Sequence, residues 1–204
     1  MIQYTMYRWE PRPEAKDIVF EMLQPAIRFE KSQCLDLPPV THMTRIAPLT
    51  VEQKRYYKEL KDEMLLESGG EEVSAVNAAA KMNKLLQISG GAVYTDSGTV
   101  VHFDVSSRLQ VIEEVIEEAS HKVLIFVPFT HTIKLVSDHL TKAGITNEII
   151  DGSVPVAKRT QVFKAFQDKP DPRVLIIQPQ AAAHGVTLTA ADTVIWYAPL
   201  TSVE

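Results

Sequence analysis

Apolar and polar positions change rhythm once along this 204-residue chain, near residue 105. Beyond that point short apolar runs alternate with amphipathic stretches. Residues 122–127 (KVLIFV), 145–150, 174–177 (VLII) and 193–197 read as buried strands, each too short for a helix and rich in β-branched residues. Between them, Ser106 and Ser107 open a helix that ends near Ser120. Thr130 opens another that Gly144 closes, and Pro155 sits in the first turn of a third, running to Gln167. Strand, helix, strand, helix, strand predicts an α/β fold, a parallel sheet with helices on its faces.

The first half is irregular and mostly helical in pattern. Residues 14–23 form a short amphipathic helix candidate behind Pro11 and Pro13. Residues 35–39 cannot lie inside a helix, because proline lacks a donor and restricts its predecessor. Residues 40–46 alternate weakly and are expected as a strand. Thr50 begins a capping box with Gln53, opening a helix to about Glu67 that Gly69 and Gly70 break. A second, alanine-rich helix spans 71–88 and ends at Ser89-Gly90-Gly91. Residues 92–94 and 99–103 flank Thr95-Asp96-Ser97-Gly98 as a β-hairpin. The expected organisation is a helical region, 1–104, followed by an α/β domain, 105–204.

With 45% hydrophobic residues the chain can build a core, and its net charge of −5 gives no global electrostatic case for nucleic acid, only for a local basic patch. One cysteine, Cys34, rules out an internal disulfide framework and fits a reducing compartment. No apolar run approaches the roughly 20 residues of a membrane span, and no leader pattern opens the chain. A cytoplasmic protein is the expectation, or one in the host cytoplasm if phage-encoded.

Three loops follow predicted strands and share one sheet edge: Pro128-Phe129-Thr130-His131, Asp151-Gly152-Ser153 and 178–189. Open parallel sheets bind ligands there. Gly152 allows close backbone approach, and Ser153 offers a hydroxyl at a helix start, which suits a phosphate; a plain helix cap explains the same pair. Arg159 either reaches such a phosphate or braces the loop, and a structural role is the better expectation. Gly185 permits close approach or a positive φ. His184 has no carboxylate or nucleophile at a catalytic spacing, and Thr187 and Thr189 supply hydroxyls. Trp196 and Tyr197 are expected to pack. The sequence holds no Gly-x-x-x-x-Gly-Lys-Ser/Thr loop, no Asp-Glu pair after a strand and no metal-ligand spacing. Glu113, Glu114, Glu117 and Glu118 read as a solvated helix face.

Residues 122–140 (KVLIFVPFTHTIKLVSDHL), 149–167 (IIDGSVPVAKRTQVFKAFQ) and 174–204, in that order, resemble the second lobe of a Snf-type superfamily-two helicase-like ATPase. LDLPPVTHMTRIAPLTVEQKRYY (35–57) and NKLLQISGGAVY (83–94) resemble that family's crossing and linker segments. The resemblance implies a RecA-like three-layer sheet, preceded by a helical linker with a small hairpin. It implies ATP and magnesium as cofactors of a full-length translocase on duplex DNA, with neither expected on this chain alone. It sets Gly185, Val186 and Thr187 toward the nucleotide. It sets Phe129, Thr130, His131, Gly152, Ser153, Arg159, Gln180 and His184 along the DNA path, contacting phosphates without reading sequence. The family's finger arginine belongs just beyond Glu204, so the chain is expected to be a fragment without catalytic residues. Its partners would be duplex DNA and a first lobe. Ala182 and Ala183 stand where the family usually has glycines, and Thr187 where many members have asparagine. The Gly-Val-Thr-Leu-Thr form resembles the compact phage and bacterial branch. A stand-alone docking module and an unrelated two-lobed nucleotide-sugar enzyme remain the alternatives.

Overall fold

Strand β1 (Ile2–Thr5) pairs antiparallel with β2 (Arg8–Glu10), a hairpin absent from the sequence expectation of a mostly helical first half. The computed structural model describes residues 2–5, 8–26, 40–68, 75–95, 98–181 and 186–199. These fall into two compact units, Met1–Thr44 and Arg45–Glu204, so the change of rhythm near residue 105 lies inside the second. Helix α1 (Ala15–Met22) completes the described part of the first unit and buries none of its side chains. Residues 40–46 form no strand. Val40, Met43 and Ile46 are all exposed, and weak alternation without a pairing partner or a core to face does not hold a strand.

The second unit opens with α2 (Val51–Ser68) and α3 (Ala75–Gly90). The capping box forms as the sequence predicts. Thr50 N–H donates to Gln53 Oε1 at 3.1 Å, and Gln53 N–H donates to Thr50 Oγ1 at 3.3 Å. The buried Gln53 amide then donates to Ile88 O at 2.9 Å, tying the start of α2 to the end of α3. Gly91, at φ +105, ends α3 in a conformation that only glycine adopts easily. The predicted hairpin follows as β3 (Ala92–Tyr94) and β4 (Val100–His102). Ile88, Val93 and Phe103 form a small core with Tyr56, Tyr57 and Leu60.

Helices α4 (Ser106–Glu118), α5 (Thr130–Lys142) and α6 (Val156–Asp168) alternate with strands β5 (Lys122–Phe126), β6 (Asn147–Ile150), β7 (Val174–Ile177) and β8 (Ala191–Trp196). The four strands form one sheet, ordered β6-β7-β5-β8, with every pair parallel. Period-two alternation divides the side chains between two helical layers. Val123, Ile125, Val174 and Ile176 face Leu109, Ile112 and Ile116 of α4 and Ile133, Val136 and Leu140 of α5. Leu124, Leu175 and Ile177 face Val162 and Phe166 of α6. This is the expected three-layer RecA-like architecture. Element ends differ by a residue or two. Pro155, at φ −60 and ψ 147, is the N-cap of α6 rather than part of its first turn.

Tyr197 packs as expected. Its hydroxyl donates to Gly90 O at 2.9 Å, and the Arg108 guanidinium lies 5.0 Å over its ring. Burial pushes the Tyr197 phenol up, and Arg108 opposes that shift. Trp196 does not pack as expected: it stacks on Phe126 at 4.5 Å yet stays 57% exposed. Its strand, β8, lies at the sheet edge, and α6 covers the other end of that face.

Candidate functional site

Because all four strands run parallel, their C-terminal ends reach one edge, and the loops there come together. After β5, Phe129 is the N-cap of α5 in extended backbone, Thr130 is exposed and His131 is half-buried. After β6 comes Asp151-Gly152-Ser153, with Gly152 and Ser153 exposed. After β7, Pro179–Ala181 forms a 3₁₀ turn that leaves Gln180 exposed. Val186 and Thr187 are exposed on the way to β8. His184, Gly185, Ala182 and Ala183 lie outside the described residues.

Internal hydrogen bonds hold this edge. Asp151 Oδ1 accepts from Ser153 N–H at 2.9 Å and from Ser153 Oγ–H at 2.6 Å. Gln178 Oε1 accepts from Gly152 N–H at 3.1 Å. The donors that sequence reasoning offers to a phosphate are therefore already engaged by a carboxylate and an amide of the same edge. An incoming phosphate would have to displace Asp151 or Gln178. Among the described residues, no group of three or more His, Cys, Asp or Glu is placed to hold a metal ion.

Arg159 takes the structural one of its two possible roles. Its guanidinium donates to Val154 O at 2.7 Å, Ala181 O at 2.9 Å and Asp151 O at 3.1 Å. One side chain thus joins the loops after β6 and β7. Arg159→Ala is expected to lower unfolding free energy by about 1–2 kcal/mol. It should also speed amide exchange at residues 151–154. Lysine should not restore either, because it cannot span three carbonyls with a planar fork. Urea unfolding with hydrogen exchange checks this; an unchanged exchange pattern would remove the brace.

Sequence reasoning passed over several residues. Gln167 Nε2–H donates to Thr189 Oγ1 at 2.7 Å and its Oε1 accepts from Ala190 N–H at 3.1 Å, anchoring the return of the long loop. Tyr94 and His102 of the hairpin sit against His131, with ring centroids 4.9 and 6.1 Å away. No local spacing announces these pairs, since each joins elements distant in sequence.

Residues 107–204 match the family described as Helicase conserved C-terminal domain. The chain is 26% identical over 202 residues to the chromodomain-helicase-DNA-binding protein 1-like of Danio rerio, covering 92% of this chain and 19% of that protein. It is 34% identical over 95 residues to the chromatin-remodeling ATPase INO80 of Kluyveromyces lactis, covering 45% of this chain and 6% of that one. In structure it resembles the Sulfolobus solfataricus SWI2/SNF2 ATPase core in complex with dsDNA. There the TM-score is 0.63 at 22% identity, over 90% of this chain and 41% of that one.

The α/β half thus matches a helicase C-terminal domain. With its upstream linker, the chain resembles the C-terminal region of the Snf-type, superfamily-two helicase-like proteins. It spans a fifth or less of the length of these two relatives. They come from a fish and a yeast and the matched structure from an archaeon, which gives the compact phage and bacterial branch no support.

No helix among the described residues is long and apolar enough to cross a membrane.

Proposed function

We propose that this chain is the second lobe and linker of a DNA-dependent ATPase that moves on duplex DNA. The observation that carries the reading is the shared sheet edge, where loops 128–131, 151–153 and 178–181 converge. The relatives' names point the same way: one is a helicase-DNA-binding protein and another a chromatin-remodeling ATPase. Phe129, Thr130, His131, Gly152, Ser153 and Gln180 would line the DNA backbone, joined by His184. Gly185, Val186 and Thr187 would border the nucleotide. Arg159 holds the edge together from behind.

ATP and magnesium would be needed by the complete enzyme. ATP would supply the phosphoryl group whose transfer drives movement, and magnesium would offset the charge on its phosphates. The chain's own part is to orient the edge loops, with Gly152 and Ser153 exchanging their bonds to Gln178 and Asp151 for phosphate oxygens. Hydrolysis by the chain alone is not expected.

Titrating the chain with a fluorescent duplex of about 20 base pairs at about 50 and 200 mM salt tests the DNA reading. Binding should weaken steeply with salt and differ little between unrelated sequences, as backbone contacts require. Absence of binding at low salt, or binding indifferent to salt, would overturn it.

A further inference from the structure

A groove of about 620 Å³ runs from His131 at the ligand edge down the outer side of α5. His102 of β4 forms part of its far wall. Lys134, Asp138, His139 and Lys142 follow His131 along α5. Spacings of three and four residues place His131, Lys134, Asp138 and Lys142 on one helix face. The buried positions of α5, Ile133, Val136 and Leu140, face the sheet. The row lies on the other side.

Several of the described cations are engaged elsewhere. Arg45 pairs with Glu118, Arg55 lies near Glu59, and Arg108 covers Tyr197. Arg159 and Arg173 donate to backbone carbonyls, as does Lys122. Lys134 and Lys142 are exposed, and no hydrogen bond or ion pair engages either among the described residues. Asp138 stands between them without closing an ion pair onto either. His139 turns its buried Nε2 to within 3.0 Å of Glu113 Oε1, away from the open side of the groove. Two exposed ammonium groups and the His102 and His131 imidazoles thus share one groove with Asp138, on a chain whose net charge is −5.

We infer that this groove is a second phosphate-backbone track, continuing the DNA contact from His131 along α5 to Lys142, with the β3–β4 hairpin as its outer wall. The inference rests on the DNA reading above and adds to it a surface remote from the edge loops. Lys134 and Lys142 are about 12 Å apart along the helix at 1.5 Å per residue, several phosphate steps of one duplex strand. Ammonium groups at that spacing meet separate phosphates as point charges, and imidazole N–H groups donate to phosphate oxygens in either protonation state. Contacts of this kind add affinity and salt dependence without sequence preference.

The test is duplex binding by the 204-residue chain, with Lys134→Glu/Lys142→Glu set against Lys61→Glu/Lys164→Glu. Both pairs exchange exposed lysines, so the net charge change is equal. The groove pair should weaken binding about tenfold or more at low salt. It should also flatten the plot of log affinity against log salt by about 1.8, or about 0.9 for each phosphate no longer neutralised. The control pair should do neither. Lys134→Gln/Lys142→Gln, a milder change on the same helix, should give an intermediate loss if the charge reversals disturb folding. Equal behaviour of the groove and control pairs would overturn the track and leave the edge reading standing. Absence of binding by the unsubstituted chain would overturn both.

Discussion

Replacing Phe166 with alanine is expected to lower the unfolding free energy by about 3–5 kcal/mol. Phe166 is fully buried, and with Val162 it makes up the buried face of α6. Its ring packs on Leu124, Leu175 and Ile177, the sheet positions that alternation turns toward α6. Lys122 strengthens the same contact, its ammonium lying 4.9 Å from the ring centre and donating to Phe166 O at 2.6 Å and Lys169 O at 2.5 Å. Desolvation pulls the Lys122 ammonium below the ordinary lysine range, while Asp171 opposes the shift. Removing the ring leaves a cavity and takes away the surface that Lys122 covers. A loss of about 3–5 kcal/mol is a large share of the roughly 5–15 kcal/mol that holds a domain together. Because α6 also carries Arg159, the loops after β6 and β7 should loosen together with it. Urea unfolding measures the loss; a change below about 1 kcal/mol would mean that α6 is not clamped through Phe166.

The α/β half was legible because its signals are local. VLII and KVLIFV contain no polar break after the opening lysine, and the residues between strands repeat at three and four, so both helical layers follow from the sequence. The Thr50–Gln53 box was legible for the same reason. The early hairpin at residues 2–10 was not: its pairing carries a register irregularity, and nothing in the sequence marks its turn. Residues 40–46 show the opposite failure, where alternation predicts a strand that finds no partner. Trp196 was misjudged because strand order decides whether an aromatic packs, and order is a tertiary property.

At the candidate site, sequence reasoning located the loops correctly along the chain but not the engagement of their donors. Asp151 and Gln178 occupy the amides and hydroxyl offered to phosphate, and the Gln178 pairing spans 26 residues. The choice between the two roles of Arg159 needed the positions of three carbonyls. The groove along α5 needed the hairpin folded back beside His131, which joins residues from three elements.

The largest effect expected concerns ATP turnover. The chain's sequence has no phosphate-binding lysine loop and no Asp-Glu magnesium pair. Phosphoryl transfer in enzymes of this kind depends on positioned metal and cationic groups, and a finger arginine alone is worth about 10³–10⁵ in rate. On the proposed second-lobe reading, this chain alone is expected to turn ATP over at the background rate only.

The most direct measurement is ATP hydrolysis with and without duplex DNA. It should compare this chain with a longer polypeptide that joins it to a first lobe and to the segment bearing the finger arginine. Background turnover from the chain and duplex-stimulated turnover from the longer polypeptide are the expected results. Steady hydrolysis by the chain alone, or silence from both with no duplex binding, would contradict the proposed second-lobe reading.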